Sequence, residues 1–93
     1  MKTDENSRQW DAAFTVRCLE DLEHWTRKDP RLAARVLKLM RATLRDPFDG
    51  VGKPERLRGE LGGRWSRRID GEHRLVYRVT AGQVRFLAAR NHY

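Results

Sequence analysis

Apolar residues recur at helical spacing along two consecutive stretches of the chain and at every second position along later ones. The pattern predicts a helical hairpin followed by a small sheet. From Val16 to about Lys28, Cys18, Leu19, Leu22 and Trp25 share one side, with Glu20, Asp21 and Glu23 assigned to the other. Thr15 stands where a capping hydroxyl would open this helix. Asp29-Pro30 supplies a second cap followed by proline at the first helical position. The helix it opens carries Leu32, Val36, Met40 and Leu44 four residues apart, with Ala33, Leu37 and Leu39 beside them. Asp46-Pro47 stops it, and Phe48 to Pro54 is a connection rich in glycine and proline.

The strands follow. Trp65, Arg67 and Ile69 alternate with Ser66 and Arg68, and Asp70-Gly71 reads as a tight turn. Leu75, Tyr77 and Val79 then alternate with Arg74, Val76 and Arg78, and Ala81-Gly82 makes a second turn. On the last strand Val84, Phe86, Ala88, Arg90 and His92 oppose Arg85, Leu87, Ala89, Asn91 and Tyr93, and both sides hold apolar residues, so its inner side stays open. Trp10 to Phe14 is a candidate first strand, and Leu57 and Leu61 are candidate anchors for a strand or turn around Gly59. Residues 1–9 are polar and unpatterned and read as a flexible arm. Residues 10–93 read as one α+β domain, a two-helix hairpin packed against a small, mainly antiparallel sheet.

Composition sharpens this picture. Val, Leu, Ile and Phe supply only 20 of 93 residues, so the core is thin. The formal charge is +7, and it is lopsided: residues 1–29 are net −2 and residues 30–93 net +9. Such a field draws nucleic acid or an acidic protein, and arginine, which supplies most of it, can grip phosphate with two parallel hydrogen bonds. One cysteine, Cys18, permits no internal disulfide and falls among apolar helical positions. No apolar run resembles a signal peptide or a membrane span, so the expected location is the cytoplasm, away from membranes. The histidines and cysteine lack metal-ligand spacing, and neither metal nor cofactor is expected.

Strand parity puts Arg74, Val76 and Arg78 opposite Leu75, Tyr77 and Val79. If the helices cover the latter, the former belong to an open basic surface suited to phosphate. Cleaving RNA there without metal requires a proton acceptor for the ribose 2′-OH, a donor for the departing 5′ oxygen and positive charge at the phosphorus. Glu55, Arg74, His92 and Tyr93 are the candidates, with Glu55 as base, Arg74 as phosphate clamp and His92 or Tyr93 on the leaving group; the plainer readings are a surface salt bridge for Glu55, a structural pair with Glu72 or another acid for Arg74, and terminal residues without a role for His92 and Tyr93. Gly50-Val51-Gly52-Lys53 lacks full Walker spacing and has no Ser or Thr after the lysine, so it is not read as a nucleotide loop. Trp65 is read first as a core aromatic, and His73 as a residue that orders the hairpin or meets RNA.

The ordered combination of Phe14-Thr15, Glu20-Asp21-Leu22, Trp25, Asp46 through Glu55, Trp65 through Ile69, Glu72 through Tyr77, Arg90 and the final His92-Tyr93 resembles the Txe/YoeB group of RelE-like toxins of bacterial toxin–antitoxin systems. The resemblance covers about residues 12–93. It implies a microbial-RNase-like fold with two helices on a mixed sheet, and a toxin that cuts mRNA in the A site of the bacterial ribosome without a metal. It places catalytic roles at Glu55, Arg74, His92 and Tyr93 and puts Lys53 and Arg67 in the matching basic regions; with the basic positions read from the chain itself, the expected RNA or ribosome contacts are Lys53, Arg67, Arg68, Arg78 and Arg90. It also implies a cognate antitoxin, operator DNA reached through the antitoxin complex, and a toxin homodimer. This chain departs from the pattern at Arg56, where proline is common, and at Asn91, where an aromatic residue is common; its leading arm is also longer. Two other readings of the basic surface are a nonenzymatic RNA- or ribosome-binding module and a regulatory subunit of a toxin–antitoxin–operator complex.

Overall fold

Two side-chain caps open the two helices. The Thr15 hydroxyl accepts the Cys18 N–H and starts α1, Val16–Lys28; the Asp29 carboxylate accepts the Leu32 N–H and, with Pro30 behind it, starts α2, Pro30–Arg45. The computed structural model describes residues 9–59 and 63–91. Around the helices run β1, Asp11–Phe14; β2, Glu55–Arg56; β3, Arg64–Arg68; β4, Arg74–Thr80; and β5, Gln83–Ala88. They form one sheet in the order β1-β5-β4-β3-β2, in which β1 runs parallel to β5 and every other pair is antiparallel. The helical hairpin and the antiparallel strands thus agree with the sequence pattern, the candidate first strand is present as Asp11–Phe14, and the mixed sheet agrees with what the resemblance implies. The arm at residues 1–8, the Leu61 anchor and the pair His92-Tyr93 lie outside the described residues.

Both helices cover one face of the sheet. Cys18, Val36, Met40, Leu75, Tyr77, Val84 and Phe86 are buried between the layers, and Trp65 and Val79 pack on them from the sheet. Leu19 and Leu37, grouped above with the apolar stripes, are instead exposed, because each lies just off the arc that meets the sheet. Asp21 corrects the expectation in the other direction, since it is buried rather than on the acidic outer side. Its carboxylate accepts the Ala89 N–H at 2.9 Å and pairs with Arg17 at 3.1 Å. Trp25 donates its indole N–H to the Ala89 carbonyl at 2.8 Å, so one turn of α1 grips both polar groups of one residue. No helix among the described residues is long and apolar enough to cross a membrane.

The same grip explains why the last strand has apolar residues on both sides. Tyr77 pairs with Phe86 but Val76 pairs with Ala88, so Leu87 is an extra residue in the ladder. Before this bulge Val84 and Phe86 face the helices; after it the phase flips and Ala89 is the buried residue. The link between β3 and β4 is also longer than the tight turn expected at Asp70-Gly71. Arg68 pairs with Arg74, leaving five residues, Ile69 to His73, between the strands. Asp70 closes the link by accepting the N–H groups of Glu72 and His73 at 2.8 and 2.6 Å. Burial raises the pKa of this carboxyl, but those two N–H groups, together with the charges of His73 and Arg35, hold the value below the usual one.

Candidate active site

Because Leu75 and Tyr77 point to the helices, residues of opposite parity point away from them. Cross-strand pairing sorts that face into three rows, and its middle row is largely covered rather than open, with Ser66 and Val76 both buried. Arg68 and Arg74 form one, Glu55, Ser66, Val76 and Ala88 the next, and Arg64, Arg78 and Arg85 the third. Glu55 therefore enters from the edge strand between two rows of arginine. One of its carboxylate oxygens lies 3.9 Å from Arg74 Nη1, with the glutamate side chain 68% exposed.

The loop ahead of Glu55 is shaped from below. Gly50 and Gly52 adopt φ of 121° and 85°, and Lys53 follows at 54°, a left-handed value uncommon outside glycine. A Cβ at Gly52 would come within 2.9 Å of Leu39 Cδ2, so glycine is required for space as well as for backbone freedom. The Gly52 carbonyl accepts the Arg68 N–H at 2.7 Å, which stitches the loop to β3.

Arg67 holds this loop from inside. Fully buried, its guanidinium donates to the carbonyls of Val51 and Asp49, both at 3.0 Å, to that of Asp46, and to the Tyr77 hydroxyl at 3.2 Å. Tyr77 in turn donates to the Pro47 carbonyl at 2.7 Å. Burial raises the Tyr77 pKa against the opposing pull of Arg67, which keeps the phenol a donor. The expectation that Arg67 contacts RNA is thus corrected: it shares parity with Trp65 and Leu75, and its donors are spent on the loop. Its placement among apolar alternating positions was the available signal.

At the other side of Arg74 runs the end of β5. The Arg74 N–H donates to the Asn91 carbonyl at 3.1 Å, and the Asn91 N–H donates to His73 Nδ1 at 2.7 Å. Asn91 adopts φ of 67°, a conformation asparagine tolerates better than most residues. His73 thus orders both the hairpin and the segment leading to the chain end. The last described residue ends beside Arg74; the catalytic expectations at His92 and Tyr93 lie outside the described residues.

Of the residues singled out from sequence, Lys53, Glu55 and Arg68 line one surface depression of about 510 Å³, with Arg74 reaching Glu55 from the adjacent strand. Arg78 is exposed four residues further along β4. Arg90 is exposed beside α1, where its carbonyl accepts from Arg17 at 3.5 Å, and it is not grouped with Glu55. Arg64 and Arg85 were not singled out, although strand parity would have found them. Ser66, directly opposite Glu55, has a buried hydroxyl with no hydrogen-bond partner among the described residues. The two carboxylates that line this depression, Glu55 and Asp49, do not assemble the several oxygen ligands that Mg²⁺ or Ca²⁺ takes. The site does place a proton acceptor and an anion clamp within one phosphate's reach.

Residues 14–93 match the family model of the YoeB-like toxin of bacterial type II toxin-antitoxin systems. Toxin YoeB of Streptomyces coelicolor is 50% identical over 80 residues, covering 86% of this chain and 95% of the relative. The YoeB/ParE toxin from Agrobacterium tumefaciens superposes with a TM-score of 0.84 at 40% identity, over 89% of this chain and 99% of that one. YoeB from Staphylococcus aureus, 31% identical, is solved as a dimer with a TM-score of 0.82 and in a heterotetrameric complex with YefM with a TM-score of 0.81, each match covering 91% of this chain and 99% of that one.

Proposed function

This chain belongs to the YoeB-like toxins of bacterial type II toxin-antitoxin systems, and from that premise we propose that it is a ribosome-dependent endoribonuclease acting on mRNA in the A site. The observation that carries the reading is the Glu55–Arg74 pair on an otherwise cationic open face. In this reading mRNA lies across that face. Glu55 takes the proton of the 2′-OH, and the 2′ oxygen attacks the adjacent phosphorus. Arg74 balances charge on the phosphorane, and the 5′ oxygen leaves with a proton delivered through the His92-Tyr93 end. The products are a 2′,3′-cyclic phosphate and a free 5′-OH, so bonds and protons balance without metal or cofactor. Lys53 and Arg68 hold the phosphates next to the cut.

The ribosome's role here is to present mRNA in an extended, oriented form, which converts weak surface affinity into a reactive alignment. YefM in the Staphylococcus aureus complex suggests the corresponding partner, a cognate antitoxin that occupies the basic surface and carries the complex to operator DNA. A homodimer of the toxin belongs to the same reading, in line with the dimer of that relative.

The test is mapping of new mRNA ends in a reconstituted translation reaction. Cuts should require ribosomes and end in cyclic phosphate. They should slow about 10²- to 10³-fold in Arg74→Gln, the size of a lost transition-state charge contact, and about 10²- to 10⁴-fold in Glu55→Gln, the size of a lost general base. Ribosome occupancy with intact mRNA would favour a binding module instead.

A further inference from the structure

The second arginine row, on the far side of the Glu55 row from Arg68 and Arg74, has no part in the cleavage chemistry. Arg64 lies directly opposite Arg78, and Arg78 directly opposite Arg85, so three guanidinium side chains stand in line across β3, β4 and β5. Like charges facing one another across strands destabilise a sheet. Among the described residues none of the three forms an ion pair. A surface that served solubility alone would intersperse both signs; this row carries one. The Arg78 side chain reaches across to the start of β3, its Nε and Nη2 3.8 and 3.7 Å from where a Cβ on Gly63 would stand, next to Arg64.

We propose that Arg64, Arg78 and Arg85 form a second phosphate-binding site, which holds the backbone of the same RNA strand a few nucleotides from the scissile bond. The proposal rests on the reading of Glu55 and Arg74 as the cleaving pair. Four residues separate Arg74 from Arg78 and Arg68 from Arg64, and at strand rise that is about 13 Å. A single strand laid along β3 and β4 therefore meets Arg68 and Arg74 at the cut and the second row beyond it. The intervening row of Glu55, Ser66, Val76 and Ala88 offers no cation, so the anionic strand is gripped at two places, on either side of it. Cationic charge that costs the empty sheet is matched once phosphates arrive.

Binding of a 2′-O-methylated RNA oligonucleotide, which lacks the attacking hydroxyl, tests this on the full chain across a range of salt concentrations. The combined variant Arg64→Gln, Arg78→Gln, Arg85→Gln should bind at least ten-fold more weakly at low salt. Three lost phosphate contacts should also flatten the plot of log affinity against log salt by about 2. Its melting temperature should be unchanged or higher, because the repulsion is gone, and this checks folding. A control that removes equal charge from the helices, Arg27→Gln, Arg31→Gln, Arg41→Gln, should leave the slope nearly as it was. Equal flattening in both variants would overturn the site in favour of net charge. Unchanged oligonucleotide binding would overturn it too, whether the row variant then lost affinity for empty ribosomes, pointing to ribosomal RNA, or for an acidic antitoxin peptide. A protein that binds with the expected slope yet cuts nothing on the ribosome would support the row while refuting the cleavage reading.

Discussion

Arg67 and Arg68 are chain neighbours with the same side chain and opposite employment. Arg67 faces the helices, is fully buried, and spends its donors on three loop carbonyls and the Tyr77 hydroxyl. Arg68 faces away, is exposed, and lies opposite Arg74 in the row beside Glu55. The difference is strand parity alone, which in a sheet covered on one side decides whether a cation supports the scaffold or meets the ligand. The sheet is thus two materials back to back. Its inner layer shapes the loop that delivers Glu55, and its outer layer holds positive charge that the fold itself does not use.

Substitutions should separate the two layers. Arg67→Leu is expected to cost the most stability, about 3–4 kcal/mol by chemical denaturation, because it strips a buried network and leaves several carbonyls without donors. Asp21→Ala should follow at about 2 kcal/mol, since it orphans the Ala89 N–H in the interior and releases the segment that runs toward Asn91. Tyr77→Phe should cost about 1–2 kcal/mol through the lost bond to Pro47. Arg68→Gln should stay within about 0.5 kcal/mol of the parent, yet weaken RNA binding and its salt dependence. An Arg68 variant as unstable as the Arg67 variant would erase the distinction.

The inner layer also makes a pH prediction. Burial pushes the Cys18 thiol up to about 12, with Asp21 adding to the rise and Arg17 opposing it. The folded value lies above the ordinary 9.0, so the protonated thiol is favoured by folding. Its stabilising contribution is complete below that ordinary value and is lost as pH climbs from about 9 to about 12. Denaturation curves at rising alkaline pH should show this loss, and Cys18→Ala should remove it. Thiol reagents at neutral pH should modify the native protein slowly.

Much of this architecture was legible in the chain. Thr15, Asp29-Pro30 and the four-residue spacing of Leu32, Val36, Met40 and Leu44 announce the hairpin through local chemistry, and alternation around Leu75 and Tyr77 announces the central strands. Asp21 was misread because its charge suggests solvent, while its burial serves the otherwise unpaired N–H of Ala89, 68 residues distant, a long-range need invisible to periodicity. The inner side of the last strand stayed open for a similar reason: the bulge at Leu87 shifts the phase, and only pairing with β4 reveals it. At the site, the residue types of Glu55 and Arg74 were legible from sequence, but their approach depends on a two-residue edge strand too short to carry a pattern. Arg67 shows the limit most clearly, since its residue type does not distinguish an arginine that satisfies backbone carbonyls from one that awaits phosphate, and only its parity with Trp65 and Ile69 marks it as inward.

The central claim is that the outer layer cuts RNA through the substrate's own 2′-OH. The direct measurement replaces that hydroxyl with hydrogen at one mapped cut site of an otherwise unchanged mRNA, in a translation reaction containing ribosomes and the full chain. The account predicts that cutting at that position disappears while the toxin still occupies the ribosome and cuts elsewhere. Undiminished cutting at the deoxy position would contradict it.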